Sequence, residues 1–149
     1  MKKAIIILSR IFSVILLAFY ISFLNAQNNN NIINERIVDE FNSIEVNGNV
    51  KIIFKQGEEQ SLKVEAPSEN QSKINTLIKN KALLINVENA NTDVIIYITC
   101  VKPEKITLNG IASLTTENII SSDNFSINLS SASKIKINLI WKVFIIFIF

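Results

Sequence analysis

The sequence predicts an all-β protein built as a β-solenoid or β-helix-like stack of short strands, and three observations lead there. From Ile44 onward apolar and polar residues alternate with period two, the pattern of strands with one buried face. The alternating runs are short and are separated by Asn, Ser, Thr, Gly or Pro. The pattern of "LNGIASL", Leu108 to Leu114, also returns 21 residues later as "LSSASKI", Leu129 to Ile135.

Taken in order, the chain opens with "MKKAIIILSRIFSVILLAFYISFLNA", two lysines followed by a long apolar stretch and a small residue at Ala26. This is the layout of a secretory signal peptide, with cleavage expected after Ala26 to leave Gln27 as the first residue. Leu24 is larger than the small residue usual at that point. The alternative is a retained amino-terminal anchor, since Ala4 to Leu24 is long enough to span ~30 Å of hydrocarbon. Residues 27–34, "QNNNNIIN", read as a flexible Asn-rich spacer with little to bury.

The strand pattern begins with Ile44 and Val46, then Val50, Ile52 and Phe54. Gly48 in "NGN" and Gly57 in "QGEE" are the expected turns. Leu62, Val64 and Ala66 form the next run before Pro67. One short helix is expected near 69–79, because Ser68 with Gln71 makes a capping box and Ile74, Leu77 and Ile78 fall at helical spacing. Strand character then returns at Leu83 to Val87 and Val94 to Cys100. It continues from Ile106 to Leu139.

A 21-residue shift brings Ile106 to Ile127, Leu108 to Leu129, Gly110 to Ser131 and Leu114 to Ile135. A solenoid coil has about this length and stacks equivalent apolar positions, with small residues at the corners. Two hairpins of similar length in a sandwich are the competing reading. A leucine-rich repeat fits the period but not the spacing of leucines and asparagine. The tail 139–149, "LIWKVFIIFIF", continues none of these patterns and lacks the polar cap that keeps a solenoid soluble. A prematurely ended frame is therefore expected.

Composition excludes several chemistries. Histidine is absent, which removes the commonest general base and zinc ligand. Cys100 is the only cysteine, so no internal disulfide can form, and its place in "DVIIYITCV" predicts a buried, inert thiol. When Lys2, Lys3 and Arg10 leave with the leader, 15 basic residues fall to 12 against 13 acidic ones, and the net charge becomes −1. No basic stripe remains for nucleic acid, and membrane contact is expected only through the leader if it is uncleaved. The adjacent acids Asp39–Glu40 and Glu58–Glu59 lie on a strand approach and in a turn, where neighbours point apart, so neither pair makes a catalytic site. Three glycines are too few for calcium-binding or phosphate-cradling loops. No catalytic, cofactor or metal residues are assigned. Ser113, Thr115 and Thr116 lie at the same offsets as Lys134, Lys136 and Ile137, and these polar positions read either as a solvated face or as a row able to bind glycans.

The stretch "ERIVDEFNSIEVNGNVKIIFKQGEEQSLKVEAPSE" resembles the opening of the head GIN domain family, an autotransporter-adhesin domain of exported proteins in Bacteroidetes-type bacteria. Arg36, Phe41, Ile44, Val46, Gly48, Val50, Ile52 and Gln56–Gly57 carry the resemblance. It continues through "KALLINVEN" and "VIIYITCVKPEKITLNGIASL", with Gly110, to "LSSASKI", and covers residues 35–138. The resemblance implies an all-β, right-handed solenoid-like fold. It also implies export to the cell envelope and an adhesin-like role. The leading expectation is a non-enzymatic exported protein of the periplasm, outer surface or medium that binds or scaffolds, with a glycan or envelope-protein surface as partner. Family members continue through further coils, whereas this chain departs at Trp141, as a truncated member would. The rivals are a carbohydrate-active solenoid enzyme and an envelope protein tethered by its leader.

Overall fold

The computed structural model describes residues 31–88, 94–130 and 132–148, without the side chains of 141–145. The expected signal peptide, its expected cleavage site at Ala26 and Gln27, and Ser131 lie outside the described residues. Eight strands make one sheet: β1 (Asn31–Arg36), β2 (Ser43–Gln56), β3 (Ser61–Pro67), β4 (Ile74–Lys79), β5 (Ala82–Val87), β6 (Ile95–Cys100), β7 (Lys105–Leu129) and β8 (Lys134–Ile148). The order is β1-β3-β6-β2-β5-β4, with β7 on β2 and β8 on β7. The protein is all-β, and its sheet curls into a half-barrel.

β2 is central because it is paired along both sides. One side carries β5 in parallel over Ser43 to Asn47 and then β6 in parallel over Lys51 to Gln56. The other carries β7 in parallel without interruption, from Ser43 beside Lys105 to Phe54 beside Thr116. Directly paired residues share a face, so Ile44 lies beside Ile106, Val46 beside Leu108 and Ile52 beside Leu114, and all six are buried. Burying each such aliphatic is worth ~1.5–3 kcal/mol, which suits a chain with no disulfide.

The 21-residue repeat has a spatial counterpart. β7 bends so that its second half runs beside its first, where Ser126 N donates to Glu104 O (2.9 Å) and Ser130 N to Leu108 O (3.0 Å). The same spacing places Ser113 beside Lys134 and Leu114 beside Ile135 at the start of β8.

Several expectations need correction. Residues 31–34, read as spacer, form β1, antiparallel to β3. The helix expected near 69–79 is a six-residue 3-10 turn, Ser68–Lys73, followed by β4. The residue that precedes this turn is Pro67, so Ser68 does not occupy the capping position expected of it. The Gln71 amide is spent elsewhere, donating toward Ile32 O (3.1 Å) and Val64 O (3.2 Å) and so holding strand backbone. Ile74, Thr76 and Ile78 are β-branched and alternate inward, and pairing with β5 overrides the local helical spacing. A two-residue turn joins β4 to β5 with Asn80 (φ 52°) and Lys81 (φ 59°), the geometry of a type I′ hairpin. The tail read as aberrant continues β8, pairing Leu139 with Ile120 and Ile146 with Ile127.

Gly48 is not a hairpin turn either. It stands inside β2 at φ 123°, where that strand passes from β5 to β6, and directly beside Gly110 at φ 81°. A Cβ on Gly110 would lie 2.9 Å from the Gly48 carbonyl oxygen, and one on Gly48 would collide with Val87 O. Both glycines are therefore required by backbone angle and by close approach. Gly110→Ala is expected to destabilise the fold by about 1–3 kcal/mol in urea titration. Leu77→Ala, at an exposed position, should stay within about 0.5 kcal/mol and serves as the control.

Candidate ligand cleft

The corners of the bent strands, rather than their faces, gather the chemistry. The connection 101–104 between β6 and β7 lies against the bend of β7 at 121–124. Between them is a cleft of about 940 Å³, with Ser43 and Gln56 contributed by β2. Turn-forming Ser, Asp and Asn in "SSDN" explain the bend, since each hydrogen-bonds local backbone readily. Ser122 Oγ, for example, donates to Asn124 O at 3.0 Å.

Gln56 ties the two walls together. Its Nε2 donates to Val101 O (3.0 Å) and Ser121 O (3.1 Å), and its Oε1 accepts from Ser121 N (2.7 Å). The Asn118 amide pairs with the Gln56 backbone in the same reciprocal manner, Nδ2 to O at 2.8 Å and N to Oδ1 at 3.0 Å. Two side-chain amides thus stand in for ladder bonds where the bend interrupts the ladder.

The lining mixes Lys102 and Lys105 with Glu104 and Asp123, hydroxyls of Ser121 and Ser126, and the buried Phe125. Glu104 is anchored by the Asn42 amide at 2.8 Å. Among the described residues no group of three His, Cys, Asp or Glu side chains could hold a metal ion. The arrangement offers donors and acceptors of both charges beside a small apolar surface, which suits a polar, uncharged or zwitterionic ligand.

The glycines named from sequence do not line this cleft. Gly48 and Gly110 occupy the strand bend described above, and Gly57 follows β2, its N–H donating to Cys100 O at 3.2 Å. Sequence reasoning missed the cleft itself. Its only local signals were the turn residues at 121–124 and the Gln56–Gly57 pair, which give no hint that they meet.

Cys100 lies on β6 with its side chain wholly buried, and Sγ donates to Phe41 O at 3.4 Å. Burial, the largest influence, raises its pKa to about 11 from an ordinary 9.0. Arg36, on β1, donates from Nη1 to Ile74 O (2.7 Å) and Thr76 Oγ1 (2.8 Å), and from Nη2 to Gln71 O (3.4 Å). Its partial burial lowers its pKa without depriving it of charge at neutral pH.

An all-β domain whose strand bends enclose a polar cleft is the class these features define. Residues 40–146 match the family described as "Putative auto-transporter adhesin, head GIN domain", and the chain belongs to that family. A comparison with curated proteins finds no match.

Solved structures share the fold at low identity. A "putative adhesin" from Parabacteroides distasonis ATCC 8503 is 16% identical with a TM-score of 0.73, over 81% of this chain and 54% of that one. A "putative adhesin" from Parabacteroides merdae ATCC 43184 is 17% identical with a TM-score of 0.65, over 76% and 53%. A "Putative lipid binding protein" from Parabacteroides distasonis ATCC 8503 is 14% identical with a TM-score of 0.61, over 80% and 61%. The chain thus spans little more than half the length of these structures.

Two predictions follow from this geometry. Gln56→Ala strips Ser121 N and two carbonyls of their partners, so it should cost about 1–2 kcal/mol and speed hydrogen exchange at the Ser121 amide. Cys100 should resist a thiol reagent at pH 8 until the chain is unfolded in denaturant. Because its folded pKa lies above its unfolded value, the unfolded chain loses the proton first, and the contribution of Cys100 to stability should decline as pH rises from about 9 to about 11.

Proposed function

We propose that this is an exported, non-enzymatic cell-envelope protein whose head GIN domain binds a glycan or an envelope-protein surface. The observation that carries the reading is the cleft at the strand bends, lined by Lys102, Lys105, Asp123 and serine hydroxyls, in a member of a family described as adhesins. The same bends supply its walls from chain segments far apart in sequence, so ligand contacts can be set without disturbing the core. The leader ending at Ala26 supports export to the periplasm, the outer surface or the medium, with Gln27 as the mature first residue. Parallel pairing at 21-residue spacing supports the finer architectural reading, successive rungs of a right-handed β-solenoid.

The test is a glycan array probed with the full chain, followed by titration of any retained glycan against Lys105→Ala and Asp123→Ala. Binding should weaken by roughly 10–100-fold in each variant, the cost of losing a charged hydrogen-bond partner. Retention unaffected by both substitutions would remove the cleft from the proposal, and turnover of the bound glycan would make the protein a carbohydrate-active enzyme instead.

A further inference from the structure

The polar positions Ser113, Thr115, Lys134 and Lys136 meet on the outward face of the sheet. Ser113 stands beside Lys134 and Thr115 beside Lys136 on β8, while on the other flank Ser113 stands beside Lys51 and Thr115 beside Ile53 of β2. The residues between them, Ile52, Phe54, Leu114 and Thr116, are buried, so alternation turns this row outward. Lys55, two residues beyond Ile53, shares the same face and is exposed. The result is a track along β7. Its floor is the small hydroxyls of Ser113 and Thr115, with Lys51 and Lys55 on one border and Lys134 and Lys136 on the other. The borders are two strand spacings apart, ~10 Å. β2 and β8 are distant in sequence, so no such stripe shows before the strands pair.

Charge on this track is not cancelled. The nearby carboxylates of β1 and β3 are committed elsewhere: Glu35 pairs with Lys63 at 3.6 Å, and the two oxygens of Glu65 accept from Tyr97 Oη (2.8 Å) and Asn31 Nδ2 (3.4 Å). Among the described residues the ion pairs are Lys63–Glu35 and Lys81–Glu40, and the four track lysines enter neither. Glu117, the next outward residue of β7, ends the track with the opposite sign. Four lysines against this carboxylate leave a positive excess, which attracts anions to the face.

The chemistry of the track selects its occupant. Ammonium groups on both borders call for negative charge, and their spread along the strands calls for charge repeated along a chain. A shallow row cannot enclose a small ligand, but it can follow an extended one. A width of ~10 Å, two strand spacings, admits a single sugar chain and no nucleic-acid duplex. The floor carries no aromatic ring on which bases could stack and no large apolar side chain that could enter a bilayer. Its serine and threonine hydroxyls both donate and accept, as sugar hydroxyls do.

We infer that this lysine-bordered track is a second binding surface, one that takes an extended anionic polysaccharide bearing carboxylates along its length. It shares no residue with the cleft at the strand bends. The test titrates polygalacturonate into the full chain, with neutral dextran as the control. Polygalacturonate should bind and dextran should not, and binding should fall as NaCl rises from about 50 to about 200 mM. Lys51→Gln and Lys134→Gln, one from each border, should each weaken it roughly 2–5-fold and lower the salt slope by about 1. Lys79→Gln on β4 makes the same change in net charge and should leave binding unchanged, as should Lys105→Ala in the cleft. All four positions are exposed, so the core is untouched. No binding of polygalacturonate at low salt, equal weakening by Lys51→Gln and Lys79→Gln, or tighter binding of an oligothymidylate than of polygalacturonate would each overturn the inference, the last by making nucleic acid the occupant. Weakening by Lys105→Ala alone would also overturn it, by moving the polysaccharide to the cleft.

Discussion

Everything in this fold is aligned to the register in which β7 lies along β2. The two strands run parallel over twelve consecutive pairs, and the aliphatic rows Ile44–Ile106, Val46–Leu108 and Ile52–Leu114 come from that single alignment. A slip by one residue would turn every one of these side chains to the solvent face. Gly48 beside Gly110 pins it, because both backbones pass through left-handed geometry at the same level and come too close for any Cβ. The same bend lets β2 exchange β5 for β6, so one alignment fixes both of its edges.

The two flanks of the sheet are finished in different ways. β1 and β4 stand at opposite ends of the strand path, yet Arg36 of β1 reaches Ile74 O and Thr76 Oγ1 of β4. Gln71, bonded to the carbonyls of Ile32 and Val64, accepts a further bond from the same guanidinium. The curl is thus tied shut by charge-assisted bonds to backbone, which are stronger than neutral ones and do not depend on a second ionised side chain. The exposed ion pairs Lys63–Glu35 and Lys81–Glu40, at 3.6 and 3.7 Å, add little by comparison. On the β7–β8 side, Ile135, Ile137 and Leu139 pack against the core while only partly buried.

How much of this was legible depends on the range of the interaction concerned. Period-two alternation is local, and it located the inner faces of β2, β3, β5, β6 and β7 correctly. The 21-residue spacing was also readable, and it returns in the bond from Ser126 N to Glu104 O, 22 residues apart, and in the pairing of Leu114 with Ile135. Ile74 to Lys79 was misread because two periodicities coexist there, and only the partner strand β5 decides between them. The tail was misread for a related reason: it follows β7 through the bend, with Ser121 beside Ile140 and Asn124 beside Val143, and a reader without that partner sees an unbroken apolar run. The cleft was beyond reach, since Gln56 and Ser121 meet only after β2, β6 and β7 have been placed.

That division also explains where recognition can reside in such a domain. Inward positions are committed to stacking, and the small residues at Gly48 and Gly110 are committed to backbone approach. Outward positions on the strands form shallow, regularly spaced rows with few convergent groups. The connections escape both demands. Gln56 bonds the backbone of Val101 and Ser121 there, and residues such as Lys102 and Ser122 line the cleft rather than the core. The connection 101–104 and the bend at 121–124 meet at one edge of the sheet, where substitution costs the core little. A parallel register and a polar rim are in this sense a single design, because the rim has a defined shape only while the strands beneath it stay aligned.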